Sequence, residues 1–66
     1  MEFSEEKQLK GITEKFIKGV ALFRKRECEQ AYEIFNRIIE EYKDSQYYSV
    51  IEIQSRSKFY KMLCET

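Results

Sequence analysis

The apolar residues of this chain fall into three phased runs. In the first, Leu9, Ile12, Phe16, Val20 and Phe23 recur at spacings of three and four residues. With about 100° of rotation per residue they share about 80° of a helix circumference, a single narrow stripe. Ser4 precedes the run as an N-cap, and Glu5 and Glu6 follow it in the first turn, where the helix dipole favours acids. Arg24, Lys25 and Arg26 place cations at the far end. A helix α1 is therefore predicted over residues 4–25. The phase then restarts. Cys28, Ala31, Ile34, Phe35, Ile38, Ile39 and Tyr42 cover about 140°, a face wide enough to touch two neighbours. This predicts α2 over residues 28–43.

Lys43-Asp44-Ser45 is the next break, with Asp44 or Ser45 available to cap a third helix. Neither glycine nor proline enforces it, so a helix running on through residue 45 stays an open alternative. The third helix, α3, is predicted over residues 46–64 and has two apolar seams. Val50, Ile53, Ser57, Tyr60 and Cys64 form one; Tyr48, Ile51, Ser55, Phe59 and Met62 form the other. Their centres lie roughly 170–190° apart. Gln54, Lys58 and Lys61 make a polar strip between them, with Glu52 and Arg56 on the other side. One seam can pack on α1 and α2. The opposite seam has no intrachain partner among these 66 residues, so a second molecule is expected to cover it.

Composition supports an all-α fold: proline is absent, glycine occurs only at positions 11 and 19, and good helix formers dominate. Sixty-six residues make a single domain, 1–66, whose core is marginal, since a chain this small buries only about 60% of its unfolded surface. Such chains gain stability from disulfides, metals or association. There is no histidine, and the two cysteines, Cys28 and Cys64, do not form a secreted disulfide framework. The start, Met1 to Glu6, is acidic and unlike a signal peptide, and no apolar stretch approaches the ~20 residues of a membrane span. A cytoplasmic protein, without membrane contact, is the expectation. Association is the remaining route to stability.

The net charge is zero but segregated: residues 7–26 sum to +6 and residues 27–52 to −5. A basic helix beside an acidic one accounts for this through mutual attraction. A basic nucleic-acid face on α1 is the competing explanation, although such proteins are normally basic overall.

Within this pattern, Phe16-Ile17-Lys18-Gly19-Val20-Ala21-Leu22-Phe23, followed by Ala31, Phe35, Ile38, Ile39 and Tyr42, resembles a tetratricopeptide repeat. The resemblance covers residues 12–45. It implies an antiparallel helical hairpin in which Gly19 and Ala31 are the small residues at the helix contact and Phe35 the aromatic beside them. Phe16, Phe23 and Ile38 complete the expected helix-packing set. Lys15 and Lys18 depart from the tryptophan and leucine of the family, and Lys43 from its closing proline. Helix α3 resembles the first helix of a following repeat, with Ser55 or Ser57 as its small residue. About one and a half repeats is fewer than the roughly three that a stable array needs, which again implies a partner.

Other candidate chemistry is weak. Cys28 and Cys64 read as two buried small apolar residues rather than a redox or metal pair. Glu5/Glu6 and Glu40/Glu41 are neighbours in sequence and point about 100° apart on a helix, so they do not converge as catalytic carboxylates. Tyr32, Tyr42, Tyr47, Tyr48 and Tyr60 suit a protein interface better than a base-stacking platform. No phosphate loop, nucleophile elbow or metal motif is present, so an enzyme is not expected and no cofactor is called for. The expected function is a protein–protein interaction module, an adaptor or chaperone, that pairs with itself as a homodimer or with another protein. The expected interface is Tyr48, Val50, Ile53, Ser57, Tyr60 and Cys64, on α3. A small nucleic-acid-binding protein using α1 is the alternative.

Overall fold

The computed structural model describes residues 4–65, in three helices: α1 Glu5–Arg24, α2 Cys28–Glu41 and α3 Tyr48–Glu65. Met1, Glu2 and Phe3, part of the acidic start noted above, lie outside the described residues, as does Thr66. The fold is all-α, as the three phased runs predict, and no strand occurs among the described residues.

Helix α1 starts where the sequence places it. Ser4 is extended, and its hydroxyl accepts the Lys7 N–H at 3.2 Å. Its end is set by a backbone motif. The Arg26 N–H donates to the Phe23 carbonyl and the Glu27 N–H to the Leu22 carbonyl, each at 3.0 Å. These are the paired bonds of a Schellman ending, which needs one residue in the left-handed region, normally glycine. Here it is Arg26, at φ 66°.

Helix α2 stops at Glu41, two residues early, and α3 starts at Tyr48, two residues late. The helices are separate, and the continuous alternative is excluded. Neither Asp44 nor Ser45 caps α3. The Ser45 hydroxyl instead accepts the Tyr47 N–H at 3.3 Å and donates to Gln8 Oε1 at 2.9 Å, closing the turn and tying it to α1. A second tie, Ser49 Oγ to Glu5 Oε2 at 2.8 Å, joins the first turns of α3 and α1.

Each helix packs against the other two, in a rod of 37 × 16 × 16 Å. Ile12, Ala31, Phe35, Ile38 and Val50 form the fully buried centre. At Gly19 α2 lies close against α1: a Cβ there would sit 2.8 Å from Phe35 Cε1 and 3.2 Å from Ile34 Cγ2. Tyr60 is the aromatic hub that locks α3 on. Its ring stacks on Phe35 at 5.2 Å between centroids and takes edge contacts from Phe16 at 5.7 Å and Phe23 at 5.2 Å. Each such pair is worth about 0.5–1.5 kcal/mol beyond area burial.

One buried polar contact completes the join. Helix α2 ends without a glycine cap or a cation in its last turn, leaving carbonyls to be satisfied. Gln54 of α3, 7% exposed, donates its side-chain N–H to the Ile39 carbonyl at 2.9 Å. The sequence pattern places Gln54 on the polar strip between the two seams, with Lys58 and Lys61.

Candidate interaction surface

The two seams of α3 have opposite fates. Val50 and Ser57 are fully buried within the chain, and Ile53, Tyr60 and Cys64 are half-buried against the same core. Five of the six residues expected at the interface therefore belong to the intrachain seam, a correction to the sequence reading. The physical reason is fit. Ser57 is small enough to be covered completely, its hydroxyl satisfied by the Ile53 carbonyl at 3.0 Å, and Tyr60 fills the gap between Phe16, Phe23 and Phe35.

Of the expected interface, Tyr48 alone points outward. It is joined by the rest of the opposite seam: Tyr48 is 83% exposed, Ile51 38%, Phe59 59% and Met62 63%. Ser55, also exposed, sits at the middle of this row. Contiguous apolar surface of this kind on a small domain marks a site of association more often than it marks nothing. Glu52 and Arg56 flank it, bridged to each other at 3.8 Å across one helical turn. Phe59 and Tyr60, neighbours in sequence, set their rings edge-on at 6.3 Å between centroids.

The residues expected at the helix contacts lie in the interior. Gly19, Ala31, Phe35 and Ile38 are buried, and Phe16 and Phe23 are half-buried around Tyr60.

The basic helix is partly neutralised by its neighbour. Lys15 Nζ lies 3.3 Å from Glu41 and 5.6 Å from the centre of the Tyr42 ring. Partial burial pulls the Lys15 pKa down, but the hydrogen bond to Glu41 and the charges of Tyr42 and Glu41 outweigh it, and the net shift is upward. On α3, Lys61 covers the Tyr32 ring at 5.4 Å.

Cys28 and Cys64 are free, half-buried thiols brought together at the start of α2 and the end of α3. Burial raises the Cys64 pKa, as do its hydrogen bond and charge interaction with Cys28. The thiolate is thus disfavoured, which suits a packing role better than a nucleophile. An open cleft of about 430 Å³ lies between the first turns of α1 and the α2–α3 turn, lined by Lys7, Gln8, Glu41, Tyr42, Asp44 and Ser45. Among the described residues no group of three histidine, cysteine or acidic side chains is placed to hold a metal ion, and no helix is long and apolar enough to cross a membrane.

Comparison with protein-family models, with curated proteins and with solved structures finds no match.

Proposed function

We propose that this chain is a non-catalytic protein–protein interaction module that associates with itself through the outer seam of α3, most simply as a homodimer. The observation behind this reading is the row Tyr48, Ile51, Phe59 and Met62, exposed on one face of a helix whose other face is already packed. Burying such side chains is worth about 25 cal/mol per Å² of apolar surface, and a chain with so small a core gains most from it. The reading includes a tetratricopeptide-like hairpin in a cytoplasmic setting. The close approach of Phe35 to Gly19, the buried Ala31 and the small Ser57 at the α3 contact support the hairpin, and two unjoined thiols suit a reducing compartment.

The test is a pair of glutamate substitutions on opposite faces of α3. Phe59→Glu places a charge in the outer seam and is expected to weaken self-association by ~30-fold or more while leaving helical content unchanged. Tyr60→Glu strikes the aromatic hub and is expected to lower the melting temperature instead. If Phe59→Glu leaves association unaltered, the outer seam is not the binding surface.

Nucleic-acid binding by α1 is the weaker reading, because Lys15 is engaged by Glu41 and acidic α2 lies alongside. Oligonucleotide affinity no better than the non-specific range of about 0.1 mM, in a low-salt titration, is the expected result.

A further inference from the structure

The outer seam is symmetric about its central residue. Counting from Ser55, Ile51 and Phe59 lie four residues to either side, and Tyr48 and Met62 seven. On a helix of about 3.6 residues per turn, all five fall within roughly 40° of the Ser55 direction. We infer that the occupant of this face is a second copy of the same chain, with its α3 antiparallel and the two-fold axis passing beside Ser55. This inference rests on the self-association proposed above and adds its orientation and register.

Antiparallel pairing about Ser55 brings unlike side chains to the same level. Tyr48 meets the partner's Met62, Ile51 meets the partner's Phe59, and Ser55 meets the partner's Ser55. Two small residues at the axis let the backbones approach closely, and the bulky pairs fill the space on either side. A parallel pair in register would instead stack Phe59 on the partner's Phe59 and Ile51 on the partner's Ile51, wide at one level and narrow at another.

Charge selects the same orientation. In an antiparallel pair each flank of the seam faces the identical flank of the other chain. Glu52 and Arg56 share one flank, at about 60° and 100° from the seam centre. Inverting the helix about Ser55 puts Glu52 about 3 Å along the axis from the partner's Arg56. Each carboxylate, already 3.8 Å from its own Arg56, then gains a second guanidinium. The Lys58 ammonium groups lie on the other flank, roughly 9 Å apart along the axis, where they reach water. In a parallel pair the opposite flanks meet, and Arg56 falls about 3 Å along the axis from the partner's Lys58, a repulsive contact. The helix ends agree as well, since antiparallel neighbours set each positive N-terminus beside a negative C-terminus.

Disulfide trapping distinguishes the orientations. In the full 66-residue chain carrying Cys28→Ser and Cys64→Ser, confirmed as folded by circular dichroism, single cysteines are introduced and oxidised with diamide. Ser55→Cys is expected to cross-link to itself. Tyr48→Cys and Met62→Cys are expected to cross-link efficiently only when mixed, because identical positions lie roughly 21 Å apart along the axis in the antiparallel pair. Self-linking of Tyr48→Cys alone would mean a parallel pair and overturn the inference while leaving self-association intact. A chain that sediments as a monomer at every concentration overturns both, and an associating chain that traps at none of the three positions overturns the choice of face.

A second route needs no cysteine change. Glu52→Arg is expected to weaken association about tenfold, and adding Arg56→Glu to restore it to within about threefold. Failure of the double variant to recover would remove the charge argument for the antiparallel register.

Discussion

Two glycines on the same helix show how a residue's surroundings decide the effect of one methyl group. At Gly11 an added Cβ would meet only the Tyr42 hydroxyl, at 2.6 Å, the tip of a half-buried side chain beside an open cleft. At Gly19 it would meet the Phe35 ring, which is fully buried and held by Tyr60 and Phe16. Alanine gains about 1 kcal/mol of helix propensity at either position. Gly11→Ala is therefore expected to be neutral or stabilising in a urea melt. Gly19→Ala is expected to cost about 1–2 kcal/mol net, because overpacking a fixed ring outweighs the propensity gain. Arg26 presents the reverse case. Its φ of 66° carries a left-handed penalty that glycine avoids, and its side chain is exposed. Arg26→Gly is expected to raise stability by about 0.5–1 kcal/mol, and a lower stability in the same melt would mean that the guanidinium makes a compensating contact.

At the scale of elements, the start of α1 was plain in the sequence because its signals are local: Ser4, two acids and one narrow stripe. The α2–α3 break was weaker because it depends on long-range ties, Ser45 to Gln8 and Ser49 to Glu5, that no local residue announces. The two seams of α3 were both visible, but their order was not. Each has a central serine, one tyrosine and a similar apolar content, so hydrophobicity alone cannot rank them. Three-dimensional fit ranks them, through the stacking of Tyr60 on Phe35 and the complete burial of Ser57. Gln54 had no local hint: the sequence pattern ends α2 on the cation Lys43, and only the observed end at Glu41, with no glycine or cation in the last turn, leaves carbonyls that need a donor from elsewhere. Gln54→Ala removes the donor to the part-buried Ile39 carbonyl and is expected to cost about 1 kcal/mol by chemical denaturation. A cost below about 0.5 kcal/mol would show that water replaces the amide.

For the molecule as a whole, both resolved pKa shifts point to one side of neutrality. The raised Lys15 pKa means that its contribution is fully present below its ordinary value of 10.5 and is lost as pH rises through the higher folded value. The raised Cys64 pKa favours the neutral thiol in the fold, so the unfolded chain releases that proton first, and stability falls as pH climbs past 9.0. Thermal melts are expected to hold level from about pH 7 to about pH 8.5 and to decline above that, with a shallower decline in Lys15→Met/Cys64→Ala. An equal slope in the double variant would assign the decline to other groups.

The proposed self-association would cover the second apolar face along α3 of a rod only 16 Å across. Sedimentation velocity of the unmodified chain from about 10 µM to about 500 µM tests this most directly, since that range spans the affinities of small interfaces. The expected result is a weight-average coefficient that rises with concentration from the monomer value toward that of a dimer. A single, concentration-independent monomer boundary across the range would contradict it.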